Sequence, residues 1–150
     1  MRAVIQRTKR AAVNIDRSEK TAIGEGMLVL LGIEHEDTVE DAVWLSKKIS
    51  RLRIFDDENG VMNRDIREVS GQALVVSQFT LHAKTKKGNR PSYIKAAPPG
   101  KAVPLYEKFV QQLTEDVGRT VETGEFGAIM DIEIVNSGPV TIFIDTKQKE

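Results

Sequence analysis

Asp131 to Asp145 reads D-I-E-I-V-N-S-G-P-V-T-I-F-I-D, and how it divides decides the C-terminal half of the fold. The flanking runs D-I-E-I-V and V-T-I-F-I-D are rich in β-branched and aromatic residues, so each is expected to be a strand. Between them N-S-G-P-V-T, Asn136 to Thr141, breaks the pattern. Proline has no N–H for a ladder, and glycine loses more chain entropy on folding than any other residue. Asn, Ser, Gly and Pro each favour a β-turn for a separate reason, so the local reading is a turn between two strands, around Asp131–Val135 and Val140–Asp145.

Working upstream, helix and strand periods alternate without a βαβ rhythm. Arg2–Thr8 and Ala11–Asp16 read as a hairpin or meander, and M-L-V-L-L-G-I, Met27–Ile33, as a buried strand. Thr38–Leu52 changes to helical spacing, with a capping box from Thr38 and Asp41. Asp56–Gly60 is a turn, and Gln72–Leu81 a third strong strand. A second helix starts with Pro104 in its first turn, carries Tyr106, Val110, Leu113 and Val117 on one face, and closes at Gly118. This order implies an α+β fold, with largely antiparallel sheets forming a barrel-like core and two main helices. Residues 1–150 are expected to form one domain, in which a chain of this size buries roughly 68–70% of its unfolded surface.

Composition excludes several chemistries. The chain has no cysteine, and its only histidines, His35 and His82, lack ligand spacing, so neither a metal site nor another cofactor is expected. No signal-peptide pattern and no membrane-length apolar run is present, which points to a soluble cytoplasmic protein without a membrane partner. Net charge is zero, yet Val69–Tyr106 contains no Asp or Glu and holds Lys84, Lys86, Lys87, Arg90, Lys95 and Lys101. The rest of the chain carries a net −6. Such a segment is either a solvated loop or, with Tyr93 and the flexible G-N-R-P-S and A-P-P-G pieces, a surface for a phosphate backbone.

No G-x-S-x-G, H-E-x-x-H, P-loop or G-x-G-x-x-G occurs. What remains is S-Q-F-T-L-H-A, Ser77–Ala83, at the end of an apolar strand. In an extended chain Gln78, Thr80 and His82 share one side and Ser77, Phe79 and Leu81 the other, so Gln78 and Thr80 could present an amide and a hydroxyl together. Ordinary strand polarity is the competing reading. His82, flanking a charged loop, is expected at the surface.

The motifs S-Q-F-T-L at 77–81 and N-S-G-P-V-T at 136–141, joined by T-K-K-G-N-R-P-S at 85–92, resemble the D-aminoacyl-tRNA deacylase family, and the match is collinear from M-R-A-V-I-Q-R to the last strand. His82 stands where an aromatic residue is more usual, and it receives no role. The resemblance implies an enzyme that hydrolyses the ester of D-aminoacyl-tRNA, and of mischarged glycyl-tRNA, while sparing L-aminoacyl-tRNA. It implies a homodimer whose site combines catalytic Ser77, Gln78, Phe79 and Thr80 of one subunit with substrate-binding Gly138 and Pro139 of the other, across a cis Gly-Pro bond. The ribose 2′-hydroxyl would assist the attacking water, and Thr80 would position rather than attack. Lys84, Lys86, Lys87 and Arg90 are then the expected tRNA contacts. A non-catalytic tRNA-binding module and a small-molecule esterase are the two alternatives.

Overall fold

A computed structural model describes residues 1–150. Along the chain lie β1 (Arg2–Ile15), β2 (Ser18–Ile23), β3 (Gly26–Gly32), α1 (Val39–Ser50), β4 (Phe55–Asp56), β5 (Met62–Arg64), β6 (Gln72–Ser77), a 3₁₀ turn (Phe79–His82), α2 (Pro99–Val117), β7 (Glu122–Thr123) and β8 (Asp131–Asp145). The two segments read as a hairpin or meander at the N-terminus are one strand. β1 runs unbroken because β8 pairs it antiparallel from Arg2↔Asp145 to Asn14↔Asp131. Its other edge is shared in sequence by β3, opposite Arg2–Thr8, and β2, opposite Ala11–Ile15.

β8 is likewise one strand where two were expected. Gly138 and Pro139 fall in a bulge rather than a reversal, because β1 offers a continuous template on both sides of them. The main sheet runs β2-β1-β3-β6-β7 with β8 on β1. It is mixed: the pairings of β1 are antiparallel, whereas β3–β6 and β6–β7 are parallel. Thr21 Oγ1 donates to Glu122 Oε2 at 2.8 Å and Lys20 Nζ to the Gly124 carbonyl at 2.9 Å, so β2 and β7 meet and the sheet nearly closes into a barrel.

The apolar run of β3 is buried on both faces. Met27, Val29 and Leu31 join the larger core with Leu45, Ile49, Phe109 and Leu113 of the helices, and Leu28 joins a second core with Val13, Ile23, Leu74 and Val76. Thr38 caps α1 as expected, its N–H donating to Asp41 Oδ2 at 2.9 Å. α2 begins five residues before Pro104, with Pro99 in its first turn, so Pro104 lies inside the helix. One missing backbone bond is offset there by the burial of Ala102, Leu105, Tyr106 and Phe109. Gly118, at φ +80, closes α2.

Candidate active site

β6 stops at Ser77, and the expected extension to Leu81 is replaced by a turn. Gln78 N–H makes a last ladder-like bond to the Leu31 carbonyl at 2.8 Å, after which Phe79–His82 wind into the 3₁₀ helix. The turn folds over Gly32, where a Cβ would sit only 2.9 Å from the Gln78 carbonyl oxygen. Arg2 ties it to the barrel, with Nη1 on the Leu81 carbonyl and Nε on Asp145, both at 2.9 Å. Gln78 and Thr80 therefore meet by winding rather than by sharing a strand face, and the Gln78 amide donates to Thr80 Oγ1. No carboxylate or imidazole hydrogen bonds to that hydroxyl, and no side chain caps the start of the turn.

Ser77, Gln78 and Phe79 stand at the wall of a cavity of about 260 Å³, otherwise mainly apolar, whose lining also includes Leu31, Phe126 and Met130. Tyr106 lies beneath β6 and donates to the Val75 carbonyl at 3.0 Å; burial pushes its hydroxyl up to about 12, so it is a fixed donor and not an acid. Phe79 is 55% exposed and meets Tyr93 edge-on, with ring centroids 5.0 Å apart. Lys84 and Ser92 exchange backbone bonds of 2.8 and 3.0 Å, closing the loop that carries Lys86, Lys87 and Arg90. All four cations are exposed and none pairs with a carboxylate. The basic segment thus begins immediately beyond the turn, with the aromatic pair between it and the cavity.

His82 is not at the surface. The 3₁₀ winding turns it inward, where it is 1% exposed with neither ring nitrogen hydrogen bonded; Nδ1 is 3.8 Å from Glu34 Oε2. Burial lowers its pKa and the Arg2 charge reinforces this, while the nearby Gly32 backbone, outside good hydrogen-bonding geometry, and the Glu34 charge oppose it without reversing it. The native state therefore resists a proton that the unfolded chain accepts below about pH 6.5. Stability should fall as pH drops through that window, and His82→Leu should flatten the fall. Urea midpoints at pH 7 and pH 5 test this; equal losses in wild type and variant would mean that His82 is protonated without penalty in the fold.

Gly138 and Pro139 occupy a different part of the molecule. β8 leaves β1 between the pairs Thr8↔Asn136 and Gln6↔Thr141, so Ser137–Val140 bulge opposite Arg7. Their ladder bonds are replaced locally: Asn136 Oδ1 accepts Val140 N–H at 3.1 Å, and Asn136 Nδ2 donates to Thr141 Oγ1 at 3.0 Å. The Gly138–Pro139 bond is cis, and both residues are exposed. Arg7 holds the bulge, Nε donating to the Ser137 carbonyl at 3.1 Å and Nη1 to the Ile54 carbonyl at 2.8 Å. The cavity beside Ser77–Phe79 includes none of residues 136–141, and the groove lined by Ser137 and Arg7 includes none of 77–80. One chain therefore joins Ser77, Gln78, Phe79 and Thr80 to the basic loop but not to Gly138 and Pro139. Arg2, Arg7, Phe126 and Met130 were not singled out from the sequence. Two arginines within an otherwise β-prone run were a visible sign, while Phe126 and Met130 reach the cavity only through folding.

A family model described as D-Tyr-tRNA(Tyr) deacylase matches residues 4–145. A Bacteroides fragilis (strain YCH46) protein named D-aminoacyl-tRNA deacylase is 62% identical over 150 residues, covering all of both chains. A Flavobacterium psychrophilum protein of the same name is 55% identical over the same span, again covering both chains fully. Among solved structures, one titled c-Myc DNA Unwinding Element Binding Protein superposes with a TM-score of 0.92 at 39% identity, over 97% of this chain and 98% of that one. A second, titled as a probable eukaryotic D-amino acid tRNA deacylase, shares the fold at a TM-score of 0.82 and 16% identity, over 95% and 97% of the two chains.

Proposed function

The chain belongs to the D-Tyr-tRNA(Tyr) deacylase family, and from that premise we propose that the ester is cleaved at the Ser77–Thr80 turn, with Gly138 and Pro139 of a second copy completing the site. The protein is a hydrolase, a D-aminoacyl-tRNA deacylase. The observation that carries the placement is the apolar cavity walled by Ser77, Gln78 and Phe79, with an exposed aromatic pair and four unpaired cations beside it. Every tRNA ends in the same adenosine, so a fixed apolar cavity suits that fixed group and leaves the amino-acid side chain free to vary. Lys84, Lys86, Lys87 and Arg90 then lie where the phosphate chain leaves the cavity.

Hydrolysis adds water to the ester carbonyl, and the oxyanion that forms collapses by breaking the bond to the ribose oxygen, which leaves with a proton. The products are free amino acid and tRNA. Backbone N–H groups at Phe79 and Thr80 support the oxyanion, and the ribose 2′-hydroxyl assists the water. The Thr80 hydroxyl, held by Gln78 and lacking a hydrogen-bonded base, positions the substrate.

Selectivity is assigned to the Gly138–Pro139 bulge. Backbone carbonyls there accept from the ammonium of a correctly handed substrate and exclude an L side chain by clash, and glycine passes because it has no side chain. Two features support completion by a second copy. The bulge and the Ser77–Thr80 turn lie apart in one chain. β8 also pairs only β1, which leaves a 15-residue free edge with Val135 and Phe143 more than half exposed, and such an edge is a template for another chain. No helix is long and apolar enough to cross a membrane, and the cytoplasm, where aminoacyl-tRNA is made and used, is the proposed compartment.

Deacylation of D-tyrosyl-, glycyl- and L-tyrosyl-tRNA tests the reading: the first two should be cleaved, and the third spared by roughly 100-fold or more. Rapid-quench mass spectrometry of the same reactions should find no aminoacyl adduct on Thr80. Comparable cleavage of the L ester removes the filter, an adduct makes Thr80 the nucleophile, and binding without a shortened ester lifetime leaves a non-catalytic tRNA-binding module.

A further inference from the structure

A second group of cations lies away from the basic loop. Lys47, Lys48, Arg51 and Arg53 follow one another through the last turn of α1 and just beyond it, and none lies within ion-pairing reach of a carboxylate. By contrast Arg2, Arg7, Arg10, Arg64, Arg67 and Lys147 are all paired. Two hollows meet at this group. One, of about 690 Å³, is lined by Arg51, Arg53, Asn63, Asp65, Arg67 and Glu68, with no apolar residue. The other, of about 360 Å³, runs from Lys47 and Lys48 past Trp44, and the two share Arg51 and Arg53, so they form one trough.

Of the two carboxylates in the trough, Asp65 is paired with the Arg67 guanidinium, while Glu68 accepts the neutral Asp65 N–H at 2.8 Å and keeps its charge. Lys47, Lys48, Arg51, Arg53 and Arg67 outnumber them, so the trough is net positive. Arg53 is fixed at the rim by a 2.9 Å bond from Nε to the Asn63 carbonyl. Complementing the dipole at the end of α1 accounts for Lys47 and Lys48. It does not account for Arg53, which stands beyond the helix, or for a polar trough.

The trough is also tied to the Gly138 bulge. Arg53 precedes Ile54, whose carbonyl holds Arg7 at 2.8 Å, and Arg7 holds the Ser137 carbonyl at 3.1 Å. We propose that Lys47, Lys48, Arg51 and Arg53 form a second phosphodiester-binding surface, which holds the stem of the tRNA whose ester is cleaved beside the Gly138 bulge. The proposal rests on the function proposed above. Under that reading, the copy that supplies Gly138 and Pro139 grips the tRNA through this trough, while the copy that supplies Ser77–Thr80 grips it through Lys84–Arg90. The chemistry recognised is the phosphate chain, so the surface adds affinity without reading sequence.

Binding of uncharged tRNA, measured from 50 to 200 mM salt, tests it with Arg51→Gln/Arg53→Gln, with Lys47→Gln/Lys48→Gln, and with Arg17→Gln/Lys108→Gln as a control of equal charge change. Arg17 and Lys108 make no ion pair and line neither hollow. Two lost phosphate contacts to duplex should reduce the slope of log affinity against log salt by about 1.8, so that each trough variant loses about 12-fold less affinity than wild type over that range. The control should keep the wild-type slope. If both trough variants keep it, or if the control loses as much as they do, the proposal is overturned and the four cations are helix-end and solubility charges. Parallel assay of wild type on D-tyrosyl-tRNA keeps the two ideas apart: absent hydrolysis defeats the proposed reaction, whereas the salt slopes speak only to the trough.

Discussion

Gly138→Ala is expected to lower kcat/KM for D-aminoacyl-tRNA by about 100-fold or more, the scale of a reacting group displaced by roughly 1 Å. A Cβ at this position would lie 2.8 Å from Arg7 Nη2, 3.1 Å from Val140 Cγ2 and 3.4 Å from Val140 N. The backbone adds a second objection, since φ is +119, in the region that side-chain-bearing residues rarely adopt. Arg7 cannot swing aside freely, because its other nitrogens hold the Ser137 and Ile54 carbonyls. The bulge must therefore move, and with it the carbonyls assigned to chiral selection. Because Gly138 is exposed, the cost to stability should be only about 1–3 kcal/mol, the range for a strained backbone position. Deacylation of D-tyrosyl-tRNA, with thermal melting as the folding control, gives the answer. A folded variant with wild-type turnover would remove the bulge from the active site.

Gly32→Ala should damage the other half of the site to a similar extent, by about 100-fold in kcat/KM. The objection here is space alone. A methyl would meet the Gln78 carbonyl oxygen at 2.9 Å, Leu81 Cβ at 3.0 Å and His82 Cδ2 at 3.1 Å, three atoms that together form the underside of the Phe79–His82 turn. The closest is backbone, so relief requires lifting the turn from the end of β3, and Phe79 and Thr80 move with it. Overpacking of this kind costs about 1–3 kcal/mol in stability, which most folds survive. Gly100→Ala is the matched control, because a Cβ there meets nothing within 4 Å and α2 should if anything gain. Unchanged turnover in folded Gly32→Ala would show that the placement of Thr80 is not critical to the reaction.

Much of the local structure was readable from residue order. The Thr38–Asp41 cap, the helical spacing that follows it and the closure of α2 by Gly118 all appear as expected. So do the doubly buried β3 and the turn at Asp56–Gly60, where Asp57 accepts from Asn59 and Val61 N–H. These features share a cause: a cap, a period or a left-handed glycine acts over a few neighbouring residues. The two motifs that suggest the family were legible for the same reason, as was the absence of cysteine chemistry.

The misreadings were all settled at long range. Lys9–Arg10 and Asn136–Thr141 both look like breaks, yet β1 and β8 run past them because each supplies the other with a ladder from end to end. Proline is tolerated at 139 because the bulge asks no ladder bond of it, a condition set by the register of β8 on β1. Pro104 stays within α2 because burial of its neighbours outweighs one absent hydrogen bond. His82 is buried rather than exposed because β6 gives way to a 3₁₀ turn over Gly32, and no period in the sequence announces that.

The sequence by itself determined which short segments wind, extend or turn, and which side chains the chemistry has to work with. Only the tertiary structure decided that Ser77–Phe79 open on the cavity shared with Phe126 and Met130, and that Gly138–Pro139 are held by Arg7 in a separate region of the chain. Local propensities are fixed by sterics and hydrogen bonds among near neighbours. Strand partners, register and burial depend on which distant apolar surfaces meet, and that is a property of the whole chain closing on itself.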